Sequence, residues 1–281
     1  MAQGETQIKA PPLAMGLRVN LSIMMFLQFA IWGAWFVVFY PYLTGKGFTD
    51  PEAGALIGTM ALGAIISTLF AGYVADRFIS SEKLMAAMHL LGAGLLYWMA
   101  NIQNPDDYWL LFAVSLTYAL LYNPTLALSN SIAFTHIPDA TRDFPGVRVL
   151  GTLGWIAAGF AIDYLFIETK VLSNGESVEI PASASNGPLV LAAILSAILG
   201  VYSLLLPKTP PSGKPGDAIP FVKALKLFKD PSFFVFFTVS FVITIVLAFY
   251  YTTTSAFLET KAGVSRTGST MLMGQIAELI L

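Results

Sequence analysis

Residues 17–42 read LRVNLSIMMFLQFAIWGAWFVVFYPY, an apolar run interrupted only by Arg18, Asn20, Ser22 and Gln28 among its clearly polar side chains. A helix that crosses a bilayer needs about 20 mostly apolar residues, and this run exceeds that length. It is too long for the apolar core of a signal peptide, and no small-residue cleavage site precedes a mature domain. It therefore reads as a retained membrane span. Further apolar runs lie near 53–75, 84–102, 108–134, 147–167, 187–206 and 232–258. Thr270 to Leu281 (TMLMGQIAELIL) begins an eighth, and the chain is expected to be a truncated polytopic protein.

Composition agrees with this reading. Hydrophobic residues make up 56% and charged residues 11%, against roughly 25% charged in a soluble domain, and the mean hydropathy is +0.70. Lipid cannot satisfy backbone polar groups, so spans must be helices or a closed barrel. The runs are too long and too evenly apolar for alternating barrel strands, which leaves an all-α polytopic membrane protein. The absence of cysteine excludes disulfides, thiol nucleophiles and thiolate metal sites. A net charge of −2 offers no footprint for nucleic acid. No cofactor or metal is expected.

Eleven of the fifteen Lys and Arg residues fall on segments that face inside if the N-terminus is cytoplasmic, among them Arg18, Arg77, Arg142, Arg148 and Lys208. That bias predicts a multi-pass protein of the cell (inner or plasma) membrane with a cytoplasmic N-terminus. The segment from Pro207 to Asp230 starts as KTPPSGKPGD, a linker by its Pro and Gly content. It continues as the basic amphipathic FVKALKLFK, suited to anionic headgroups. The expected units are a six-helix bundle over 1–206, a cytoplasmic linker over 207–230 and the start of a second bundle over 231–281. This is the plan of a transporter made of two six-helix halves. Ala71-Gly72-Tyr73-Val74-Ala75-Asp76 and Ala158-Gly159-Phe160-Ala161-Ile162-Asp163 also match, as inverted three-helix repeats would require, although a match this short also arises by chance.

Within the spans, small residues at Gly54, Gly58, Gly63, Ala64 and Ser67 predict close helix packing. Gly72-x-x-x-Asp76-Arg77 resembles the motif between helices two and three of the major facilitator superfamily, where Asp76 and Arg77 would act in gating. The further basic residues of that motif are replaced by Phe78 to Lys83, and a solvated loop pair is the other reading. Gln28, Trp32 and Trp35 share one stripe of the first span, an amide and two aromatics suited to a flat polar solute. The fourth span holds Tyr118, Tyr122, Asn123, Pro124, Thr125, Ser129 and Asn130, with Pro124 a candidate kink.

Arg148, Thr152 and Trp155 stand at i, i+4 and i+7. An intramembrane cation marks a pathway or a buried partner. Alternatively, a helix starting near Pro145 would put Arg148 only about 5 Å inside, from where it could snorkel to the interface. Gln275 and Glu278 share a face, and a carboxylate in an apolar span suits reversible proton binding. At a helix end near water Glu278 would instead be an ordinary exposed acid. His89 and His136 lie far apart in sequence, which argues against an intramembrane enzyme.

Several stretches together resemble the nucleoside:proton symporter family of the major facilitator superfamily. They are Phe26-Leu27-Gln28-Phe29 with Trp32-Gly33 and Trp35, Tyr122-Asn123-Pro124-Thr125-Leu126, Asp143-Phe144-Pro145-Gly146-Val147-Arg148-Val149-Leu150-Gly151-Thr152-Leu153-Gly154, and Gln275-Ile276-Ala277-Glu278. The resemblance implies proton-driven nucleoside uptake by a monomer in the bilayer, with substrate contacts at Arg148, Thr152, Gln275 and Glu278. Trp155 takes the place of the family's aromatic one turn on. Gln28, Trp32 and Tyr251 complete the expected binding set, and Glu278 is the candidate for proton coupling. The seventh span departs from the family, with Ala248 and Tyr251 where amides would stand, which puts the solute in doubt. A permease for another small polar solute, such as a sugar, or a non-transporting membrane sensor are the alternatives.

Overall fold

The computed structural model describes residues 11–211 and 226–280, leaving aside the side chains of 68–73, 76, 251, 252 and 277–280. The first run forms α1 (Met15–Gly33) and α2 (Phe36–Gly45), separated by a break at Ala34 and Trp35. α3 (Asp50–Arg77) and α4 (Ser81–Asn101) follow. A short turn, Pro105–Asp107, leads into α5 (Tyr108–His136), then α6 (Ala140–Phe166) and α7 (Gly187–Ser203). α8 (Pro231–Thr260) and α9 (Thr267–Ile280) complete the described chain. Five of these stretches are long and apolar enough to cross a membrane, counting α1 with α2 as one. Much of the expected linker, including most of its basic amphipathic part, lies outside the described residues.

Local chemistry sets the helix ends. The Glu52 carboxylate accepts from the backbone N–H and hydroxyl of Thr49, both at 2.8 Å, and Pro51 follows at the first turn of α3. Asp230 caps α8 by accepting from Ser232 N at 2.8 Å. Asp139 caps α6 through Arg142 N at 3.2 Å. That cap starts the helix at Ala140, not near Pro145 as the proline suggests.

One departure from an all-helical chain lies between α6 and α7. There β1 (Glu168–Val171) and β2 (Ser177–Ile180) pair antiparallel. Asn174-Gly175 makes the turn, with Gly175 at φ +81, a backbone region open to glycine.

The helices alternate between two ends of the bundle. Pro11, Arg142 and Thr209 mark the proximal end, and the hairpin and Arg266 mark the distal end. α1 packs on α6 and α7, α3 on α5, and α4 on α5 and α7. Tyr118, Tyr122, Phe39, Met24, Met25 and Met85 fill the core. α9 meets α6 and α2, and α2 also meets α8.

The α1–α6 contact is backbone on backbone. A Cβ at Gly154 would lie 2.0 Å from the carbonyl oxygen of Phe26. At the proximal end Asp143, 3% exposed, pairs with Arg18 of α1 and with Arg142 at 2.7 Å. Arg142 also donates to the Pro11 carbonyl at 2.8 Å. On α3 the expected packing is found at Gly63, whose Cβ would lie 2.5 Å from that of Ala119 on α5. It is absent at Gly54 and Gly58, where nothing lies within 4 Å of an added Cβ. Sequence spacing identifies small residues but not which face meets a neighbour.

These contrasts set a paired expectation for detergent-solubilised protein. Gly154→Ala lowers stability by about 1–3 kcal/mol through overpacking. Gly54→Ala raises it by up to about 1 kcal/mol by improving helix propensity. Thermal melts of both variants against the parent check the two signs.

Candidate functional site

A cavity of about 250 Å³ lies where α1, α6, α8 and α9 converge, lined by Phe29, Trp32, Arg148, Thr152, Trp155, Leu247 and Gln275. It lies just under the range of about 300–1,000 Å³ usual for drug-sized ligands, which suits a small solute. Two larger hollows differ in character. One, of about 410 Å³, runs between α1 and α6 and is mostly apolar apart from Arg18 and Ser22. The other, of about 390 Å³, lies at the distal end beside Asp163 and Arg266. Only the first gathers a cation, a hydroxyl, an amide and aromatic rings from several helices.

Arg148 enters this cavity from deep within α6. With the helix starting at Ala140, eight residues of rise put it about 12 Å along the axis, further in than a start at Pro145 implies. Its guanidinium carbon lies 4.0 Å from the centroid of the Phe29 ring, a cation–π contact. Gly151 makes that posture possible. A Cβ there would sit 2.8 Å from an Arg148 nitrogen and 2.7 Å from Phe29. Among the described residues no carboxylate lies within ion-pair distance of Arg148.

The aromatic wall is orthogonal. Trp32 and Trp155 meet edge to face at 5.6 Å between ring centroids, and Trp32 lies 5.7 Å from Phe36. The Trp32 indole nitrogen is buried and has no hydrogen-bond partner among the described residues. Flat rings beside a planar cation, a hydroxyl at Thr152 and an amide at Gln275 can hold a flat solute by its faces and its polar edges.

Of the residues expected from the sequence, Trp32, Arg148, Thr152, Trp155 and Gln275 line this one cavity. Gln28 does not. It is fully buried, and both ends of its amide are used between helices. The Thr125 hydroxyl donates to the Tyr122 carbonyl at 2.6 Å, so its oxygen accepts from Gln28 Nε2 at 2.8 Å. Gln28 Oε1 then faces His89 Nε2 at 2.9 Å, which assigns the ring proton to that nitrogen. His89 Nδ1 lies 3.3 Å from Ser196 Oγ, and the Tyr122 hydroxyl donates to the Gln28 carbonyl at 2.7 Å. The stripe shared with Trp32 pointed Gln28 at the solute, but α4 and α5 claim it first. Trp35 is likewise buried, packed against Phe39 and Tyr118.

The side chains of Tyr251, Glu278 and Asp76 lie outside the described residues, and Arg77 closes α3 at the proximal end. Phe29 and Leu247 are lining residues that composition alone does not single out. Phe29 stands three residues before Trp32, so the helical period placed it on the same side.

Helical spans of this arrangement around a central polar cavity define a membrane transporter fold of the major facilitator type. A family model described as a nucleoside H+ symporter matches residues 15–281. The chain belongs to that nucleoside H+ symporter family. The putative nucleoside transporter YegT of Escherichia coli (strain K12) is 40% identical over 263 residues, 92% of this chain and 59% of that protein. Xanthosine permease of the same organism is 32% identical over 242 residues, 83% of this chain and 54% of that protein. The crystal structure of the nucleoside transporter NupG aligns with a TM-score of 0.71 at 26% identity, covering 94% of this chain and 65% of that one. The chain thus spans between 54% and 59% of the length of these two curated relatives.

The buried amide network carries its own expectation. Gln28→Ala leaves His89 and Thr125 short of a partner and lowers stability by about 1–3 kcal/mol. Ligand affinity of the folded fraction stays within twofold of the parent, as equilibrium binding on purified protein checks.

Proposed function

We propose that the chain serves in a secondary transporter that imports nucleosides together with protons by alternating access. The observation that carries this reading is the cavity itself. Arg148, Thr152 and Trp155 on α6, Phe29 and Trp32 on α1, and Gln275 on α9 converge on one small hollow. The arrangement matches the needs of a nucleoside: aromatic faces for the base, and guanidinium and amide donors for its carbonyls and hydroxyls. Transport of nucleosides is named for YegT and NupG, and xanthosine for the permease.

In this reading residues 1–206 form one six-helix half, 207–230 the connection and 231–281 the opening of the second half. The proximal end, with the N-terminus, faces the cytoplasm, in keeping with the excess of basic residues there. Glu278, one turn beyond Gln275 on α9, is the candidate proton carrier. Proton binding there would bias the equilibrium between open states through its differential affinity for them. The protein acts as a monomer in the bilayer, without covalent chemistry on its solute.

The test is uptake of labelled uridine by proteoliposomes holding the protein expressed from its complete gene, with and without an inward proton gradient. Uptake that rises with the gradient supports symport, and uptake indifferent to it overturns the proton role. Arg148→Lys keeps the charge but loses the planar fork stacked on Phe29, and lowers kcat/KM for uptake at least about tenfold. Gly151→Ala displaces the same guanidinium and acts in the same direction.

A further inference from the structure

We propose that Asp163 is the latch that holds the distal mouth of the carrier shut, a positioning residue for transport that makes no contact with solute. This inference rests on the alternating-access reading above. Asp163 stands near the distal end of α6, 5% exposed. Its Oδ2 accepts from Ser269 N at 2.6 Å and Ser269 Oγ at 2.7 Å, and its Oδ1 accepts from Gly268 N at 3.3 Å. Those donors are the first turn of α9, which has no acidic residue of its own there. The N-terminus of α9 is therefore capped by a carboxylate from another helix. When α6 and α9 part, the cap leaves with α6.

The surroundings make this contact close to all-or-none. A Cβ at Gly268 would lie 2.6 Å from the Gly159 carbonyl oxygen, and one at Gly159 would lie 2.8 Å from Leu272 Cδ1. Two glycine faces in such contact either seat or separate, and packed surfaces of this kind do not deform smoothly. Two more ties flank the cap at the same end. Arg266 pairs with Glu179 of β2 at 2.8 Å, and the Ser183 hydroxyl donates to Glu259 of α8 at 2.8 Å. The cap joins α6 to α9, and the two flanking ties join the segment between α6 and α7 to α8 and to the connection between α8 and α9.

The sequence places this device opposite its counterpart. Asp163 ends Ala158-Gly159-Phe160-Ala161-Ile162-Asp163, the stretch that matches Ala71-Gly72-Tyr73-Val74-Ala75-Asp76. Asp76 is the residue expected to gate the proximal side. The geometry assigns the corresponding task at the distal side to Asp163.

The 281 residues contain no cysteine, which makes thiol labelling clean once any cysteine elsewhere in the complete gene product is replaced. Leu247→Cys puts a single thiol in the cavity wall. A membrane-impermeant maleimide, applied to whole cells, reads access from the distal side. With Asp163 intact, labelling is slow. Asp163→Ala accelerates it roughly tenfold, the size of one lost charge-assisted hydrogen bond. Asp163→Asn, which keeps the shape and one acceptor, gives a smaller increase. Ser269→Ala does the same from the other partner.

A Gly159→Cys, Leu272→Cys pair, oxidised to a disulfide, suppresses labelling, and reductant restores it. If Asp163→Ala does not reach the membrane, the Asp163→Asn and Ser269→Ala rates decide. Unchanged labelling in folded Asp163→Ala, or in both milder variants, overturns the latch. A parent protein with the expected labelling pattern but no gradient-driven uridine uptake overturns the transport reading and leaves the latch standing.

Discussion

Gly154 lets the backbone of α6 rest on the carbonyl of Phe26, and the placement of everything around the cavity follows from that approach. With no side chain between them, α1 and α6 bring Phe29 under Arg148 and Trp32 against Trp155. Gly33 repeats the device against the backbone of Trp155, while Gly151, one turn before Gly154, leaves room for the side chains of Phe29 and Arg148. In lipid there is no hydrophobic force to draw two apolar helices together, so small residues and tight van der Waals fit must do it. The cavity wall is therefore a by-product of this close helix contact.

Two sets of polar groups inside the bundle stand in contrast. Gln28, His89, Thr125 and Ser196 satisfy one another across four helices and are spent on holding α1, α4, α5 and α7 together. Arg148 and the Trp32 indole instead face a hollow, and neither finds a hydrogen-bonding or ionic partner among the described residues. In a medium that cannot hydrogen-bond, such groups are costly unless something visits them. Burial without a partner is not confined to the hollow, since the Trp35 indole nitrogen and the Tyr118 hydroxyl also lack one among the described residues. What sets Arg148 and Trp32 apart is that they line the same cavity.

The spans were legible because the bilayer imposes a length, and every predicted run overlaps a helix. Arg148, Thr152 and Trp155 were legible as one face because the helical period is strict. What failed was knowledge of the neighbour. Gln28 and Trp32 lie on one stripe, but α4 and α5 tie up the amide of Gln28 in hydrogen bonds, whereas Trp32 meets α5 through the edge of Tyr122 and still lines the cavity. Gly54, Gly58 and Gly63 look alike in sequence, and only Gly63 meets another helix. α6 starts at Ala140, before Pro145, because the cap at Asp139 sets the helix end and the proline is accommodated inside the helix. The hairpin did carry a signal, Asn174-Gly175 between β-branched residues, which the apolar-length reading passed over. Asp163 showed itself only as half of a short internal match, since a carboxylate at a helix end does not announce which helix it will cap.

The ion pair between Arg18 and Asp143 joins residues separated by 125 positions, and this bears on how the molecule is made. Ribosomes add about 5–20 residues per second, so the first span waits on the order of 6 to 25 s for the helix it rests on. For part of that interval the amide at 28 sits in the bilayer or the insertion machinery without its partners, since the histidine follows it by 61 positions and the threonine by 97. Biogenesis of this chain is thus obliged to shelter a half-finished polar element, and mutations at 28 or 143 should register first as lost yield during synthesis.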